Sequence, residues 1–562
     1  MELITKTCPI SGKEFTITQW DVDFYDKISP TFAGHRFQIP TPTLHPEERH
    51  RRRLSFRNER NLYRRKCDAS GKDIISIYSP DKPYKIYDQK IRQSDARDPM
   101  DYGMDFDFSK TFKENFSFLT QEVPKKWLVS EYNENCDYTS ICWYCKDCYL
   151  TSASERSEQC YYWNLIQDSN NIIDGSFIYN CSHIYNSVNC HNCFNSKYLL
   201  NCKDCADCYE CYNLIGCSFC YQCFDLQNQR YCINNNQYTK EEYFNKIKEL
   251  EKRDWLSILK KLANQSNHKV YEGYNNEHVS WYYINNSKDI VNWYDIEKWE
   301  KISHSQIVVD GKYLYDCTNI YIENEMSMEI MSALTSKFNL FSGFVYNCNN
   351  CLYSLNLNDS NNCFGCDGLR NKSYCIFNKQ YTKEEYEIRV AKIISHMIET
   401  KERGEFFHPS LSPFGYNETV AQEYYPEAPS SFLPPSGGGW PQDTIQWVWI
   451  PSGHGRPERS ALGVGLGGMW YHRSDYQAPA PIADKIIEGE ELKLYEDYLL
   501  PSPEEGGVGG GEWILKTAIR CEVTGKLFRI IPQELAFYRK HHIPLPRRHP
   551  DQRHLDRLAL RK

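Results

Sequence analysis

The sequence predicts a mainly β protein built on two cysteine-lined β-solenoid domains, each followed by an α-helix and flanked by small α+β modules at the chain ends. Three observations carry this. The cysteines between 136 and 232 are all separated by multiples of three. The segment Cys223 to Tyr243 recurs 143 residues later as Cys366 to Tyr386. The two ends of the chain resemble each other.

The three-residue period comes first. The triplets Asn201-Cys202-Lys203, Asp204-Cys205-Ala206, Asp207-Cys208-Tyr209 and Glu210-Cys211-Tyr212 set the pattern, and Ile172, Ile178, Ile184, Ser187, Ser196, Leu199, Leu214 and Leu226 keep its phase. The second copy follows with Cys348, Cys351, Leu357, Cys363, Cys366 and Leu369, and the cysteine-free stretch Asp289-Ile290, Asn292-Trp293, Asp295-Ile296 keeps the triplet. Three is the period of neither a helix nor a flat strand. It is the period of a narrow solenoid whose short sides each end in a bend. Asn and Asp before the inward residue suit such bends, because they tolerate left-handed conformations. Aromatics after it are expected to stack along the outside. Coils of twelve and of fifteen residues both fit the spacings, and twelve is preferred.

Each copy ends in a helix signal. Thr239 and Thr382 precede Glu242 and Glu385 by three residues, a capping box. Tyr243, Ile247 and Leu250, then Tyr386, Val390, Ile393 and Met397, follow at helical spacing, with Gly404 as the expected stop. The segmentation is then 1–92 (basic module), 93–132 (linker), 133–264 (first solenoid and helix), 265–404 (second solenoid and helix), 405–515 (Pro/Gly-rich connector) and 516–562 (C-terminal half-module).

The ends align as Cys8-Pro-Ile-Ser11-Gly12-Lys13-Glu-Phe15 with Cys521-Glu-Val-Thr524-Gly525-Lys526-Leu-Phe528. The match runs on through Phe24-Tyr25 with Phe537-Tyr538 and His45-Pro46 with His549-Pro550. Only the first copy continues, to a further Cys67-Asp-Ala-Ser70-Gly71-Lys72. These motifs resemble the knuckle of zinc ribbons with the second cysteine replaced, so each module is expected to be zinc-ribbon-like. The whole chain resembles a group of uncharacterised cysteine-rich repeat proteins of candidate-phyla bacteria with degenerate zinc-ribbon-like ends. The resemblance implies zinc as cofactor, on Cys8, His45, His50 and Cys67 and on Cys521, His549 and His554; the other reading, since one Cys and one His of the four expected ligands survive in each copy, is a zinc-free ribbon held by its small core. Thiolate and imidazole both suit Zn2+.

Composition bounds the function. The 562 residues carry a net charge of -8 with 25% charged residues, so the chain as a whole is no polycation. Mean hydropathy is -0.67, with no apolar run of membrane-spanning length and no apolar leader, so cytoplasmic residence is the expectation. The ladder thiols have three readings: inert buried core, a soft-metal site on pairs such as Cys142/Cys145 or Cys190/Cys193, and disulfides, which the absent leader disfavours. Basic residues crowd both ends: Arg49, Arg51, Arg52, Arg53, Arg57, Arg60, Arg64, Arg65 and Lys66, then Arg547, Arg548, Arg553 and Arg557. Such flanks grip phosphate backbones, or are solvated faces paired with the acidic remainder. The acidic cluster Asp95, Asp98, Asp101, Asp105 and Asp107 reads as a solvated loop or a partner for the arginines. Gly463-Val-Gly465-Leu-Gly467-Gly468 lacks the strand and helix of a dinucleotide site and reads as loop. No catalytic constellation stands out. The expected function is a non-enzymatic scaffold, its partner RNA, DNA or a protein docked through the basic ends. The alternative is a soft-metal or thiol-redox protein using the ladder.

Overall fold

The computed structural model describes residues 4–88, 91, 98–128, 130–248, 255–266, 336–426, 483–494, 512–541 and 543–560, and short pieces at 284–285, 296–297, 311–312, 315, 317, 324–325, 328–329, 331–334, 447–450 and 469–472. The chain divides into two compact units that cross its linear order. One joins Met1–Trp127 to Lys269–Arg473, and the other joins Leu128–His268 to Ser474–Lys562. Each unit is therefore a solenoid together with the terminal module that is distant from it in sequence.

The first solenoid is a stack of parallel strands in sequence order from Ser130–Glu131 onward, closed by an antiparallel strand at Asn236–Gln237. Successive coils pair with a register of twelve, as in Cys160↔Ile172, Ile172↔Ile184 and Cys190↔Cys202. The second solenoid keeps it (Cys363↔Cys375), while the pair Gly311↔Asn324 is thirteen residues apart. Of the stretch 289–296, only Ile296 is described, paired with Ile284.

The inward phase is the one the sequence marks. Cys142, Cys160, Cys190, Cys202, Cys211, Ile166, Ile172, Ile178 and Leu199 form one continuous core. The residue before each inward position adopts φ near +50°: Asn135, Asp147, Asn180, Asn192 and Asp204 do so, and so do Ile141, Leu165 and Phe177. For residues other than Gly, Asn and Asp this conformation costs about 1–2 kcal/mol each. It is held because the corner amides bond to neighbouring coils, as Asp147 N–H does to Glu134 O (3.0 Å) and Asn192 N–H to Tyr179 O (3.0 Å). The interior is tight. A Cβ on Gly175 would lie 2.7 Å from Ile172 Cγ2 and 3.0 Å from Ile178 Cγ1. Thiols fit such a core because an S–H reaches a carbonyl of its own coil and in many cases one of the next, as Cys193 Sγ does at His191 O (3.3 Å) and Cys202 O (3.5 Å).

Both capping boxes form. The second helix is Lys383–Glu399, shorter than expected: it ends before Gly404, which turns the chain at φ +97° where a Cβ would strike Pro40. The first is Lys240–Lys248, with a second helix at Trp255–Gln265.

Two segments correct the expected segmentation. The linker 93–132 contains the helix Phe112–Glu122, whose Phe112, Phe116 and Leu119 enter the core of the first unit. The connector 405–515 begins with a packed segment, in which Phe406, Phe407, Leu411 and Tyr416 are buried. The Gly463–Gly468 run and Asp95 lie outside the described residues.

The duplicated Phe-Tyr pairs seat both modules. Tyr25 meets Tyr315 edge-on at 4.9 Å, and Tyr538 meets Tyr185 edge-on at 5.9 Å. In the second unit the outward Tyr161, Ile173 and Tyr185 are covered by a core that includes Ile519, Phe528, Phe537 and Tyr538. The aromatic ladder expected on the outer surface is, on this side, the docking face of the C-terminal module.

Candidate functional site

The three knuckles share one geometry. In each, the cysteine N–H donates to the lysine carbonyl five residues on, and the glycine N–H returns to the cysteine carbonyl. The distances are 2.9 and 2.9 Å at Cys8, 2.8 and 2.8 Å at Cys67, and 2.9 and 3.0 Å at Cys521. Gly12, Gly71 and Gly525 hold φ between +68° and +70°, which explains glycine there. Where a zinc knuckle carries its second cysteine, the hydroxyls of Ser11, Ser70 and Thr524 accept the lysine N–H (3.4, 3.5 and 3.4 Å).

The thiols face amides. Cys67 Sγ accepts from Asp88 N–H (3.2 Å) and Cys521 Sγ from Thr524 N–H (3.4 Å). Burial raises all three thiols, but nearby donors outweigh it and hold them below the ordinary cysteine value: Ser11 and the His45 amide at Cys8, Ser70 and the Asp88 amide at Cys67, Thr524 and the His549 amide at Cys521.

The imidazoles are committed elsewhere. His45 Nδ1 caps the helix Pro46–Leu54 by accepting from Glu47 N–H (3.2 Å), and His549 Nδ1 caps Pro550–Ala559 by accepting from Asp551 N–H (3.1 Å). Each ring stands edge-on to the module's phenylalanine, Phe15 or Phe528. His50 Nδ1 meets Tyr425 OH at 2.9 Å, and His554 is buried. Among the described residues, no three His, Cys, Asp or Glu side chains converge as a metal set. Cys8, His45, His50 and Cys67, and Cys521, His549 and His554, therefore do not fit the zinc that the resemblance implies. The hydroxyl substitutions and the helix-capping imidazoles are the physical reason.

The basic segments also depart from expectation. Arg49, Arg53, Arg57, Arg553 and Arg557 are buried rather than displayed. Arg557 Nη1 lies 2.9 Å from Asp174 Oδ1, and its other nitrogens reach Ser176 Oγ (3.3 Å) and Tyr162 O (3.1 Å). Arg553 pairs with the other oxygen of Asp174, approaches Glu534 at 3.6 Å, and stacks over Tyr162 at 4.8 Å. Burial raises the Glu534 carboxyl, which Arg553 opposes. In the first unit Arg49 stacks over Tyr315 at 5.3 Å, and Arg57 pairs with the buried Glu59. Arg51, Arg52, Arg65, Arg547 and Arg548 pair with Glu48, Glu405, Asp68, Glu522 and again Glu522, while Lys66 forms an exposed pair with Asp73. Arg60 is half-buried and Arg64 exposed.

Sequence reasoning passed over Asp174, which anchors both C-terminal arginines, and the buried pair Lys125–Asp367, which does the same work in the first unit. The one available signal was Asp174-Gly175: a glycine at an inward position, behind a corner acid. In the acidic cluster, Asp98 pairs with Lys372 (2.6 Å) and Asp105 with Lys379 (2.8 Å).

The ladder thiols are free and buried with one exception, Cys136. Burial raises Cys142, Cys190, Cys202 and Cys211 well above the ordinary cysteine value, as expected of core thiols. No helix among the described residues is long and apolar enough to cross a membrane. No protein-family model matches the chain, and no curated protein matches it.

Proposed function

We propose that the protein is a non-enzymatic scaffold that presents a rigid, repetitive surface to a macromolecular partner. The reading is carried by the outward stacking of like side chains one coil apart. Asn192 reaches Asp204 (2.8 Å), Asn213 reaches Asp225 (2.6 Å) and Asn347 reaches Asp359 (3.1 Å). Tyr132 lies parallel to Tyr144 at 5.1 Å with both rings exposed. A surface that repeats at the strand spacing of about 4.8 Å suits an extended partner better than one small molecule. Internal charge clamps favour a surface of fixed shape within each unit.

For a nucleic-acid partner, the exposed Arg64 and Lys66 are the support that remains, because the other basic residues named are more enclosed or held in less exposed pairs, whereas the Lys66–Asp73 pair lies in solvent. Binding of single-stranded RNA and DNA by the full chain at rising salt tests this. Contacts near Arg64 and Lys66 predict a shallow salt slope, set by about two or three phosphates, and loss of binding in Arg64→Glu/Lys66→Glu. Equal binding by the variant, or none at low salt, removes nucleic acid and leaves a protein partner.

A further inference from the structure

Beyond the scaffold reading, and independent of it, the first coil of the first solenoid holds a thiol pair of its own. Cys136 is half-buried, whereas each of the other 24 cysteines is buried. The parallel bridges Glu134↔Lys146 and Asp137↔Tyr149 flank it and put Cys136 directly across from Cys148, one coil on. Neighbouring strands lie about 4.8 Å apart, inside the range of about 4.4–6.8 Å that a disulfide spans between Cα atoms. Both side chains lie in one inward column, where the Cys136 thiol donates to Glu134 O (3.3 Å) and Cys145 O (3.4 Å) and the Cys148 thiol to Lys146 O (3.3 Å) and Ser157 O (3.5 Å). Cys160 follows in the same column one coil on, and Cys142 and Cys145 occupy neighbouring inward positions of the same core. The cluster stops there. Ile166, Ser169, Ile172 and Ile178 occupy following inward positions before the next cysteine, Cys181.

The pair is asymmetric in the way exchange chemistry needs. The neighbouring Cys148 holds the Cys136 thiol below its ordinary value against a smaller burial penalty. Its contacts with Cys136, Cys145 and Cys160 raise Cys148, with burial adding to them. The half-buried sulfur is therefore the one a small disulfide reaches first, and the buried one lies behind it. Reactivity follows the thiolate and its access.

We propose that Cys136 and Cys148 form a thiol–disulfide exchange site for low-molecular-weight disulfides, with Cys136 as the attacking thiol and Cys148 as the resolving one. In the first step Cys136 sulfur bonds to one sulfur of the small disulfide, whose S–S bond breaks and releases one thiolate. In the second, Cys148 gives up its proton and attacks Cys136. The mixed disulfide breaks, and the second small thiolate leaves. The protein dithiol loses two electrons and two protons, and the small disulfide becomes two thiols.

The test uses the full chain, reduced, freed of reductant and exposed to glutathione disulfide under native conditions. Intact mass and peptide mapping follow. The wild type is expected to lose two hydrogens, to retain no glutathionyl group and to yield a Cys136–Cys148 disulfide. Cys148→Ser is expected to stop with one glutathionyl group on Cys136. Cys136→Ser is expected to react at least tenfold more slowly. Serine is sterically accepted inside, since Ser154, Ser157, Ser169, Ser187 and Ser196 are buried inward residues of the same ladder. Circular dichroism confirms folding of each variant before it is scored. A wild type that stays reduced, keeps its glutathionyl group or reacts first at another cysteine overturns the proposal. So does a Cys136→Ser variant as fast as wild type.

Discussion

Asp174→Asn isolates what holds a terminal module to its solenoid. Asp174 and Arg557 are both fully buried, 2.9 Å apart, and Arg553 takes the second carboxylate oxygen. At that separation one pair attracts by roughly 6 kcal/mol at an effective dielectric of about 20, much of which offsets desolvation. Removing the carboxylate leaves two guanidiniums beneath the helix Pro550–Ala559 with Glu534 as the nearest acid, 3.6 Å from Arg553. Breaking a buried pair in this way costs about 3–5 kcal/mol. Asparagine still accepts one hydrogen bond, so a loss of about 3 kcal/mol is expected. Hydrogen–deuterium exchange resolved to peptides of 517–541 reads that loss locally, alongside urea denaturation of the whole chain. A quadruple replacement, Asp174→Leu with Arg553→Met, Arg557→Met and Glu534→Gln, is expected to recover most of it, because well-packed apolar groups replace buried ion pairs at little cost and no carboxylate is left without its arginine. A single-variant effect below about 1 kcal/mol would refute the claim that this charge cluster fastens the module.

Two further outcomes follow from the same geometry. Burial first, then Lys113 and Arg52, push His408 from 6.5 down to about 3; because the fold favours the neutral ring, its contribution is complete above pH 6.5 and lost as pH falls toward 3. His408→Asn, which keeps an acceptor for Ser410 N–H, is expected to flatten the acid limb of the stability profile of the first unit, and an unchanged limb contradicts the assignment. Gly175→Val places methyls against Ile166, Ile172 and Ile178 and is expected to cost about 1–3 kcal/mol by overpacking; thermal unfolding at wild-type temperature would show the interior to be roomier than described.

The solenoid was legible because its signal is local. Three residues make one side, and the side repeats, so a cysteine every third position reports an interior without knowledge of any partner. Coil length was half-legible, since spacings in threes fit both twelve and fifteen, and only the register Cys190↔Cys202 decides. The helix Phe112–Glu122 was readable in principle: Thr111 and Glu114 make a capping box, and Phe112, Phe116 and Leu119 share one face. The crossed pairing of modules with solenoids was not readable. It depends on single long-range contacts such as Tyr25 on Tyr315 and Arg557 on Asp174, which leave no periodic trace. The knuckle turns were legible from Gly12, Gly71 and Gly525. The fate of the histidines was not, because helix capping by His45 and His549 and metal ligation ask for the same residue.

The arginines were misread for a related reason. A count of charges records neither burial nor partners, and Arg49 and Arg53, like Arg553 and Arg557, stand four residues apart on one helical face. That face turns inward. A module of this size has little core of its own, and small domains commonly draw on a metal or a partner surface for the missing stability. Here the knuckle's second thiol is a hydroxyl and the imidazoles cap helices, while Tyr161, Ile173 and Tyr185 of the solenoid complete the apolar core and Asp174 neutralises the arginines. Both copies keep the Phe-Tyr pair and the paired arginines although their surroundings differ, with Tyr315 receiving Arg49 in one and Tyr162 receiving Arg553 in the other. The feature common to the two ends is thus a docking face, and the buried arginines are part of how that face is held.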